Sequence, residues 1–412
     1  MISRRSNPKL PPAVVVGMDD LRGVYAARTL ARHHVTVIGI AKNPKSYGAR
    51  SRACRRIITS DTSGQALLDT LVTLGPQLDG RPIIVPCNDM SVVTLSRHRD
   101  HLSKWYALAL PSVESVELLT DKVRFFTYAQ QNNLPVPETR ILYSREDAEK
   151  AAEELAFPCA VKPPDSKSGR WLSKTHLKAM KVDGGADLLS FYDQFRPYAE
   201  ALIVQQWIEG ADEDHYTCNC YMNSDGQPLV TFVSRKLRQW PPLTGDGSLN
   251  EECRADDILR TTLQLFQNFE FHGLGEVEFK RDAVSSKQLI VEPNIGRATG
   301  RCGLAEGSGV ELLYTMYCDL AGLPLPVQRE QAYRGTKWVF LRRDMMSGFH
   351  YWRKGEISLL DWFRSLRGRK VYALFSWTDP VPFLADLVRA AFLVLFRNER
   401  RKRARDSRSL KQ

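Results

Sequence analysis

Residues 276–280 have the sequence Glu-Val-Glu-Phe-Lys and residues 291–294 have Val-Glu-Pro-Asn, and these two short stretches decide the fold. Both are predicted as strands, and a tight turn between them would bring Glu278 opposite Glu292. Facing carboxylates repel each other unless a cation lies between them. Oxygen ligands of this kind suit Mg²⁺ bound together with nucleotide phosphates. The pattern predicts a metal site held by these two glutamates with Asn294 as a neutral third ligand. The alternative is an amphipathic hairpin with exposed acids.

Two lysines upstream of this hairpin lie on separate predicted elements. Lys122 stands at a helix start and Lys162 at a strand end. Lysine is a compact point charge that tolerates the geometry of a triphosphate. The polar loop at residues 165–169 contains small residues, so its backbone N–H groups could approach phosphate oxygens closely. Each feature alone is also typical of an ordinary surface, and only their order along the chain favours a phosphate site.

A predicted strand at residues 204–210, Val-Gln-Gln-Trp-Ile-Glu-Gly, follows the lysines. Its backbone and amide groups could face an adenine edge. A carboxylate soon after it, Glu209 or Asp212, could accept hydrogen bonds from ribose hydroxyls. The alternative is a plain edge strand followed by a turn.

The four features in this order resemble the ATP-grasp superfamily of carboxylate–amine ligases over about residues 115–325, and within it the branch that includes D-aspartate ligase. This branch also shows a Gly-x-Asp turn after the first strand and arginines after the metal-binding Glu-x-Asn. The sequence stretches that carry the resemblance are 121–122, 157–163, 203–210, 276–279 and 292–294.

The resemblance implies ATP as cofactor, with Mg²⁺ or Mn²⁺. The residues that it implies for ATP binding, together with the polar loop, are Lys122, Lys162, Ser166, Ser168, Gly169, Gln205, Gln206, Ile208, Glu209 and Asp212. The residues implied for the metal are Glu278, Glu292 and Asn294. Arg297 or Arg301 would stabilise the transferring phosphoryl group or a substrate carboxylate, and Arg235 and Lys236 would face the same cleft.

Two departures from the family pattern concern specificity. Gln205 replaces the glutamate that many members carry at this position. The spacing of Arg297 and Arg301 after Asn294 differs from that of D-aspartate ligase. The second departure leaves the identity of the amino acid open.

The implied reaction is a two-step ligation. ATP phosphorylates a carboxylate to an acylphosphate, which an amine then attacks, with an amino acid expected among the two substrates. Positioning and charge neutralisation suffice for such chemistry. Two alternatives remain: a membrane-associated binding or scaffold protein on a degenerate ATP-grasp fold, and an enzyme like carbamoyl-phosphate synthase or biotin carboxylase.

Strands that alternate with helices near the N-terminus predict an α/β domain of Rossmann-like layout with a parallel sheet. The predicted fold class is α/β, with an α+β grasp region. The predicted units are a pre-ATP-grasp domain at 1–115, ATP-grasp subdomain A at 116–200, subdomain B with the metal site at 201–325, and an aromatic-rich C-terminal extension at 326–412. The pattern also predicts a strand at 106–110, a helix from Asp121 capped by Thr120, and a helix at 309–321.

The net charge of +11, from 58 Lys+Arg against 47 Asp+Glu, is concentrated at the chain ends. Residues 397–412 carry +6 and the first nine residues +3, which leaves +2 for residues 10–396. A near-neutral body argues against a nucleic-acid-binding globular face. The basic tail follows an apolar segment at 380–396, which predicts a helix in a membrane interface with the tail on anionic lipid. A core helix with a charged end is the alternative.

The sequence contains no run of about 18 apolar residues, so no helix is expected to cross a bilayer. The eight cysteines lack zinc-site spacing, and Cys218 and Cys220 are expected on one face of a strand. Reduced thiols favour a cytoplasmic protein, and the basic tail would place it at the inner face of the membrane.

Overall fold

The computed structural model describes residues 10–164, 171 and 178–392. Its first sheet has the strand order β3-β2-β1-β4, with all neighbours parallel. The strands are β1 (Ala13–Val16), β2 (Val37–Ala41), β3 (Arg56–Thr59) and β4 (Ile83–Pro86). The helices of this region are α1 (Leu21–Arg32), α2 (Gly64–Leu74), α3 (Asp89–Arg97) and α4 (Arg99–Leu102). β1, β2 and β4 are buried throughout, as expected for a parallel sheet covered on both faces. The predicted parallel α/β sheet and the α/β fold class are confirmed.

In this region one strand was not predicted and one predicted strand was wrong. β3 was missed because its residues are only partly buried and form no apolar run. The strand predicted at 106–110 is reduced to a single bridge between Ile83 and Ala107.

The helix that carries Lys122 is capped by a different residue from the one predicted. α5 (Val113–Thr120) precedes α6 (Lys122–Gln131), and Asp121 lies between them. The Asp121 carboxylate accepts hydrogen bonds from the backbone N–H groups of Val123 (2.8 Å) and Arg124 (3.1 Å), as an N-cap does. Thr120 was predicted as the cap, but it ends α5 and donates its hydroxyl to the Val116 carbonyl. Lys122 is therefore the first residue of α6.

A small antiparallel sheet follows, with the order β5-β8-β6-β7. It consists of β5 (Thr139–Leu142), β6 (Cys159–Lys162), β7 (Met180–Val182) and β8 (Leu202–Gln206), with helices α7 (Arg145–Glu154) and α8 (Gly185–Phe195). Val161, Leu202 and Val204 join α7 and α8 in one apolar cluster. Alternation therefore places Lys162 and Gln205 together on the opposite face.

The largest sheet has seven strands in the order β13-β12-β9-β10-β11-β14-β15. Its first five strands in chain order are β9 (His215–Met222), β10 (Pro228–Trp240), β11 (Asp246–Glu252), β12 (Gly273–Arg281) and β13 (Gln288–Ile295). α9 (Asp256–Gln267) covers one face, where Cys218, Cys220 and Val277 are buried against Phe266. The two cysteines share a face as predicted. β11 was missed because its sequence, Asp-Gly-Ser-Leu-Asn-Glu-Glu, is polar.

The helix predicted at 309–321 is present at Leu312–Leu320, and a further helix that was not predicted precedes it. α10 (Cys302–Ser308) ends at Gly309, whose φ of 91° lies in the left-handed region, and α11 (Leu312–Leu320) begins after it. A left-handed glycine is a common helix end, because it has no Cβ to clash.

The C-terminal extension is built into the seven-stranded sheet. β14 (Lys337–Val339) pairs antiparallel with β11, and β15 (Lys370–Tyr372) pairs parallel with β14. α12 (Leu341–Arg353) and α13 (Leu359–Ser365) lie between these strands in the chain, and residues 381–392 form a further helix, α14. The predicted domain bounds remain a prediction, although the strand pairing shows that residues 337–372 continue the grasp-region sheet. No helix among the described residues is long and apolar enough to cross a membrane.

A buried ion pair attaches the extension to the sheet. Arg238 of β10 donates to both carboxylate oxygens of Asp344 on α12, at 2.9 and 3.0 Å. Both side chains are almost fully buried, and Trp362 Nε1 of α13 donates to the same carboxylate at 3.1 Å.

We predict that Asp344→Ala destabilises the protein by about 3–5 kcal/mol, because it leaves the Arg238 charge buried without its partner. The free energy of urea unfolding measures this. The exposed i,i+4 pair of Glu149 with Arg145 provides the control: Glu149→Ala should cost less than about 1 kcal/mol. Equal losses for the two variants would show that the buried pair does not hold the extension.

Candidate functional site

The polar face of the β12–β13 hairpin carries the predicted metal ligands. The register places Glu278 opposite Glu292 and Glu276 opposite Asn294. Val277, between the two acids of β12, is buried in the apolar cluster on the other face. The turn is closed by a backbone hydrogen bond of 2.9 Å at residues 282 and 287. The structure thus brings together the three residues predicted to hold a metal.

Lysines from two other elements neutralise the facing carboxylates. Lys122 Nζ, at the start of α6, lies 3.1 Å from Glu292 Oε2. Lys236 Nζ, on β10, lies 3.9 Å from Glu278 Oε2. Burial favours the protonated form of Glu292, but Lys122 and Lys162 outweigh it and hold the pKa of Glu292 below its usual value. Glu292 is therefore ionised, as a metal ligand must be.

Glu276 anchors the site from the buried end of the hairpin. Its carboxylate accepts hydrogen bonds from Asn219 (2.8 Å), the Thr299 hydroxyl (2.5 Å) and Asn294 Nδ2 (3.3 Å). Burial, with the repulsion of Glu278, raises the pKa of Glu276 above its usual value, against the charge of Arg301. Glu276 was assigned no role from the sequence. Its position opposite Asn294 was the available signal.

The two candidate arginines have different surroundings. Arg297 is ion-paired through Nε with Asp89 of α3, and its Nη2 donates to Asn294 Oδ1 at 2.5 Å. Its guanidinium therefore positions Asn294 and ties the hairpin to the N-terminal sheet. Arg301 lies at the start of α10. Burial alone would lower the pKa of Arg301, but Glu278, Glu276 and Asp246 keep it above the usual value. Of the two, Arg301 is the better candidate for a charge that faces a substrate anion.

Lys162 is a partly buried cation at the end of β6. Its Nζ lies 4.9 Å from the centroid of the Phe126 ring. Burial and the neighbouring Lys122 lower the pKa of Lys162 to about 7, although Glu292 opposes this effect. Two lysines converge beside one glutamate here, so an additional anion such as a phosphate would relieve their mutual repulsion.

Several residues predicted to line the adenine and ribose sites form hydrogen bonds within the protein. Gln205 is buried, and its Nε2 donates to the Thr139 hydroxyl at 2.8 Å. Gln206 follows it on β8, is exposed and projects to the opposite face. The Ile208 carbonyl accepts a hydrogen bond of 2.7 Å from Lys280 Nζ. The backbone N–H of the next residue, Glu209, donates to Asp282 at 3.2 Å. Roles of these residues at adenine or ribose remain predictions.

Asp212 belongs to a network that reaches the metal-site acids. Its carboxylate accepts hydrogen bonds from the Gln239 backbone N–H (3.0 Å), Gln239 Nε2 (2.6 Å) and the Tyr351 hydroxyl (2.6 Å). Gln239 Oε1 also accepts from Lys236 at 3.5 Å. The C-terminal extension thus takes part in the site through Tyr351, which the sequence analysis missed because 139 positions separate it from Asp212.

One residue predicted in the cleft does not face it. Arg235 precedes Lys236 on β10, so the two side chains lie on opposite faces of the strand. Lys236 is buried beside Glu278, whereas Arg235 is more than a third exposed and pairs with Glu251 at 3.6 Å. The prediction that Arg235 shares the cleft was wrong.

The remaining predicted residues belong to the polar loop, and the predicted metal ligands belong to the hairpin. Ser166, Ser168 and Gly169 of the polar loop lie outside the described residues. In the described ranges, no group of three or more His, Cys, Asp or Glu residues could hold a metal ion. The donor set of two carboxylates and the Asn294 amide nevertheless fits Mg²⁺, which takes one or two carboxylates and completes its shell with phosphates and water.

The chain is similar to known proteins in structure and, more weakly, in sequence. No protein-family model matches the chain. A biotin carboxylase from Campylobacter jejuni, solved as a β-γ-ATP complex, superimposes with a TM-score of 0.62 at 17% identity, over 80% of this chain and 75% of that one. N5-carboxyaminoimidazole synthetase from Staphylococcus aureus gives 0.60 at 14% identity, over 78% and 81%. In sequence, the D-aspartate ligase of Enterococcus faecium (strain Aus0004) is 22% identical over 221 residues.

The chain has the fold of these solved structures and resembles the ATP-grasp superfamily. The match to D-aspartate ligase covers 52% of each protein. The chain spans about half or less of the length of the first curated relatives that it matches. The likeness to solved structures shows the fold. The roles of Lys122, Lys162, Glu278, Glu292 and Asn294 remain predictions.

The lowered pKa of Lys162 has a consequence for stability. An unfolded Lys162 holds its proton up to about pH 10.5, whereas the folded one releases it near pH 7. The cost of burying the charge is thus fully present below pH 7 and is relieved as the pH rises above it. We predict that ligand-free Lys162→Met melts a few degrees higher than the wild type at pH 6.5. This advantage should shrink steadily by pH 9.

Differential scanning fluorimetry across this range measures the two melting curves. The exposed Lys45 provides the control, since Lys45→Met should follow the wild type at every pH. A constant offset for Lys162→Met between pH 6.5 and 9 would contradict the account of Lys162 as a partly buried, weakly basic amine.

Proposed function

We propose that this protein is an ATP-dependent carboxylate–amine ligase, which forms an amide bond through an acylphosphate and releases ADP and phosphate. The observation that carries this proposal is the pair Glu278–Glu292 in direct cross-strand register, surrounded by the cations Lys122, Lys162 and Lys236. Two carboxylates that face each other in a partly buried cleft repel each other, so a purely structural role does not explain their placement. A cleft built for a metal and a polyphosphate needs both the acids and the lysines.

Each side chain then has a task that its position permits. Glu278, Glu292 and Asn294 would hold magnesium, which supplies charge neutralisation at the phosphates when bound. Lys122 and Lys162 bind phosphate oxygens and hold the nucleotide in one orientation. Arg301, flanked by acids and fully charged, neutralises negative charge that develops during phosphoryl transfer. No protein nucleophile is required, since positioning and charge carry such reactions.

The Glu276 cluster keeps the ligands in place. Asn294 is held on one side by Glu276 and on the other by Arg297, which is itself ion-paired with Asp89. Its amide oxygen therefore has little rotational freedom. A metal ligand fixed in this way loses little conformational entropy when the metal binds.

The substrate class follows from the similarity to D-aspartate ligase. We propose that an amino acid is one of the two substrates. The amine would attack an acylphosphate formed at a small carboxylate. A rival reading, in which bicarbonate is the activated carboxylate, predicts a different substrate requirement and is an outcome of the experiment below.

We predict that Glu292→Gln lowers magnesium-dependent ADP release by at least about a hundredfold, because the metal loses an anionic ligand and Lys122 loses its partner. ADP release is measured with a panel of amino acids and with bicarbonate, and hydroxylamine traps any acylphosphate as a hydroxamate. Amino-acid-dependent release with a trapped hydroxamate is expected for the wild type.

The control is Glu153→Gln, an exposed glutamate on α7, which should keep wild-type activity. Circular dichroism should show that both variants are folded. Wild-type ADP release by Glu292→Gln would refute the metal assignment. Release that depends on bicarbonate alone would favour the carboxylase-like reading. Absence of ATP turnover under all conditions would favour a degenerate ATP-grasp scaffold.

A further inference from the structure

An exposed apolar surface covers the C-terminal extension. Twenty large apolar side chains are exposed among the described residues, and fourteen of them lie between positions 341 and 392. Contiguous exposed apolar surface of this kind is uncommon on a protein that has no partner there. We call this region the C-terminal apolar surface; its exposed members include Met345, Phe349, Trp352, Phe363 and Phe392.

The apolar residues follow helical spacing on the outer faces of the helices. On α12 the exposed residues are Leu341, Met345, Met346, Phe349 and Trp352. At 100° per residue they occupy an arc of about 140°. The other face of α12 carries the buried Asp344, Ser347 and Gly348, which contact the protein. α12 is thus apolar on the side that the protein does not cover.

The two neighbouring helices repeat this arrangement. On α13, Leu359, Leu360 and Phe363 are exposed, and on α14 so are Leu384, Leu387, Val388 and Phe392. Spacings of three and four residues keep each set on one helix face. All three helices therefore leave an apolar face uncovered by the rest of the described chain.

Specific contacts join the three helices into one unit. Trp362 of α13 packs against Gly348 of α12, where an added Cβ would lie 2.2 Å from the indole ring. Arg342 of α12 forms two hydrogen bonds, of 3.0 and 3.2 Å, with Asp386 of α14. These contacts hold the three helices, each with its exposed apolar face, in one packed unit.

The charge around this surface is positive. Residues 341–392 contain nine Lys or Arg and five acids. Three of the acids, at positions 344, 379 and 386, are buried and paired with arginines, so Glu356 and Asp361 are the acids exposed here. The guanidinium of Arg353 lies 5.9 Å from the Phe349 ring, and Arg364 and Arg389 are exposed beside apolar residues. The sequence after α14 adds +6 over residues 397–412.

We propose that the C-terminal apolar surface docks on an anionic lipid membrane, with the aromatic and aliphatic side chains in the interface and the arginines on lipid headgroups. Exposed Trp, Phe and Leu interspersed with Arg are the composition of interfacial membrane anchors. A second copy of the chain fits less well, because a symmetric dimer would bring two positively charged surfaces together. Among the described residues, no helix is long and apolar enough to cross a bilayer.

The test is co-sedimentation of the full-length protein with vesicles of phosphatidylcholine, with and without phosphatidylserine. Binding is expected only to the anionic vesicles and should weaken with salt. Phe349→Ser combined with Phe363→Ser should reduce binding by at least about tenfold, since both rings leave the interface. Replacing Arg353 and Arg364 by serine should weaken binding to the anionic vesicles by about fivefold for each residue.

Matched control variants lie outside the surface. Val284 and Val327 are 82% and 87% exposed elsewhere in the chain, and their replacement by serine should leave vesicle binding unchanged. Lys45→Ser with Arg260→Ser is the control for charge, since both residues are exposed on other elements. All variants replace exposed side chains and should keep the wild-type melting temperature and ADP release, which separates this proposal from the ligase proposal.

Three results would overturn the proposal. Equal binding to neutral and anionic vesicles, or no binding to either, would exclude the anionic lipid surface. A dimer in sedimentation that the Phe349/Phe363 variant dissolves would assign the surface to a second copy. Loss of binding on deletion of residues 397–412, with wild-type binding by both surface variants, would assign membrane attachment to the tail alone.

Discussion

The repulsion between Glu278 and Glu292 is the constraint on which the arrangement of the site depends. The β12–β13 register fixes these carboxylates opposite each other, and their charge must be neutralised. The chain supplies lysines from three directions: Lys122 from a helix start, Lys162 from the small sheet and Lys236 from β10. Three elements therefore converge on one hairpin, and in the proposed function a magnesium–nucleotide complex would complete the charge balance.

Hydrogen bonds and ion pairs also connect the site to the N-terminal region and to the C-terminal extension. Asp89 of the N-terminal region reaches Arg297, which holds Asn294. Tyr351 of the extension reaches Asp212, which connects through Gln239 to Lys236. The extension therefore has two faces with different physical character. Its inner face completes a polar network at the site, and its outer face is apolar and exposed.

Sequence reasoning was successful where local periodicity carries the information. Alternation along β12 and a turn of suitable length were enough to place Glu278 opposite Glu292. Contacts between residues far apart in the chain were not accessible in this way: 208 positions separate Arg297 from Asp89. β11 was missed because its buried face is polar. The helix cap was assigned to Thr120 because both Thr120 and Asp121 are residue types that commonly cap helices. The hydrogen bond from Tyr351 to Asp212 was likewise not predictable, because only the tertiary structure brings these two residues together.

We propose that the facing glutamates and Asn294 hold a divalent cation together with a nucleotide. Electron paramagnetic resonance of Mn²⁺ in the presence of ADP measures this binding. We expect nucleotide-dependent Mn²⁺ binding by the wild type and its loss in a folded Glu278→Gln variant, with no loss in Glu153→Gln. Undiminished Mn²⁺ binding by Glu278→Gln would refute the proposed cation site.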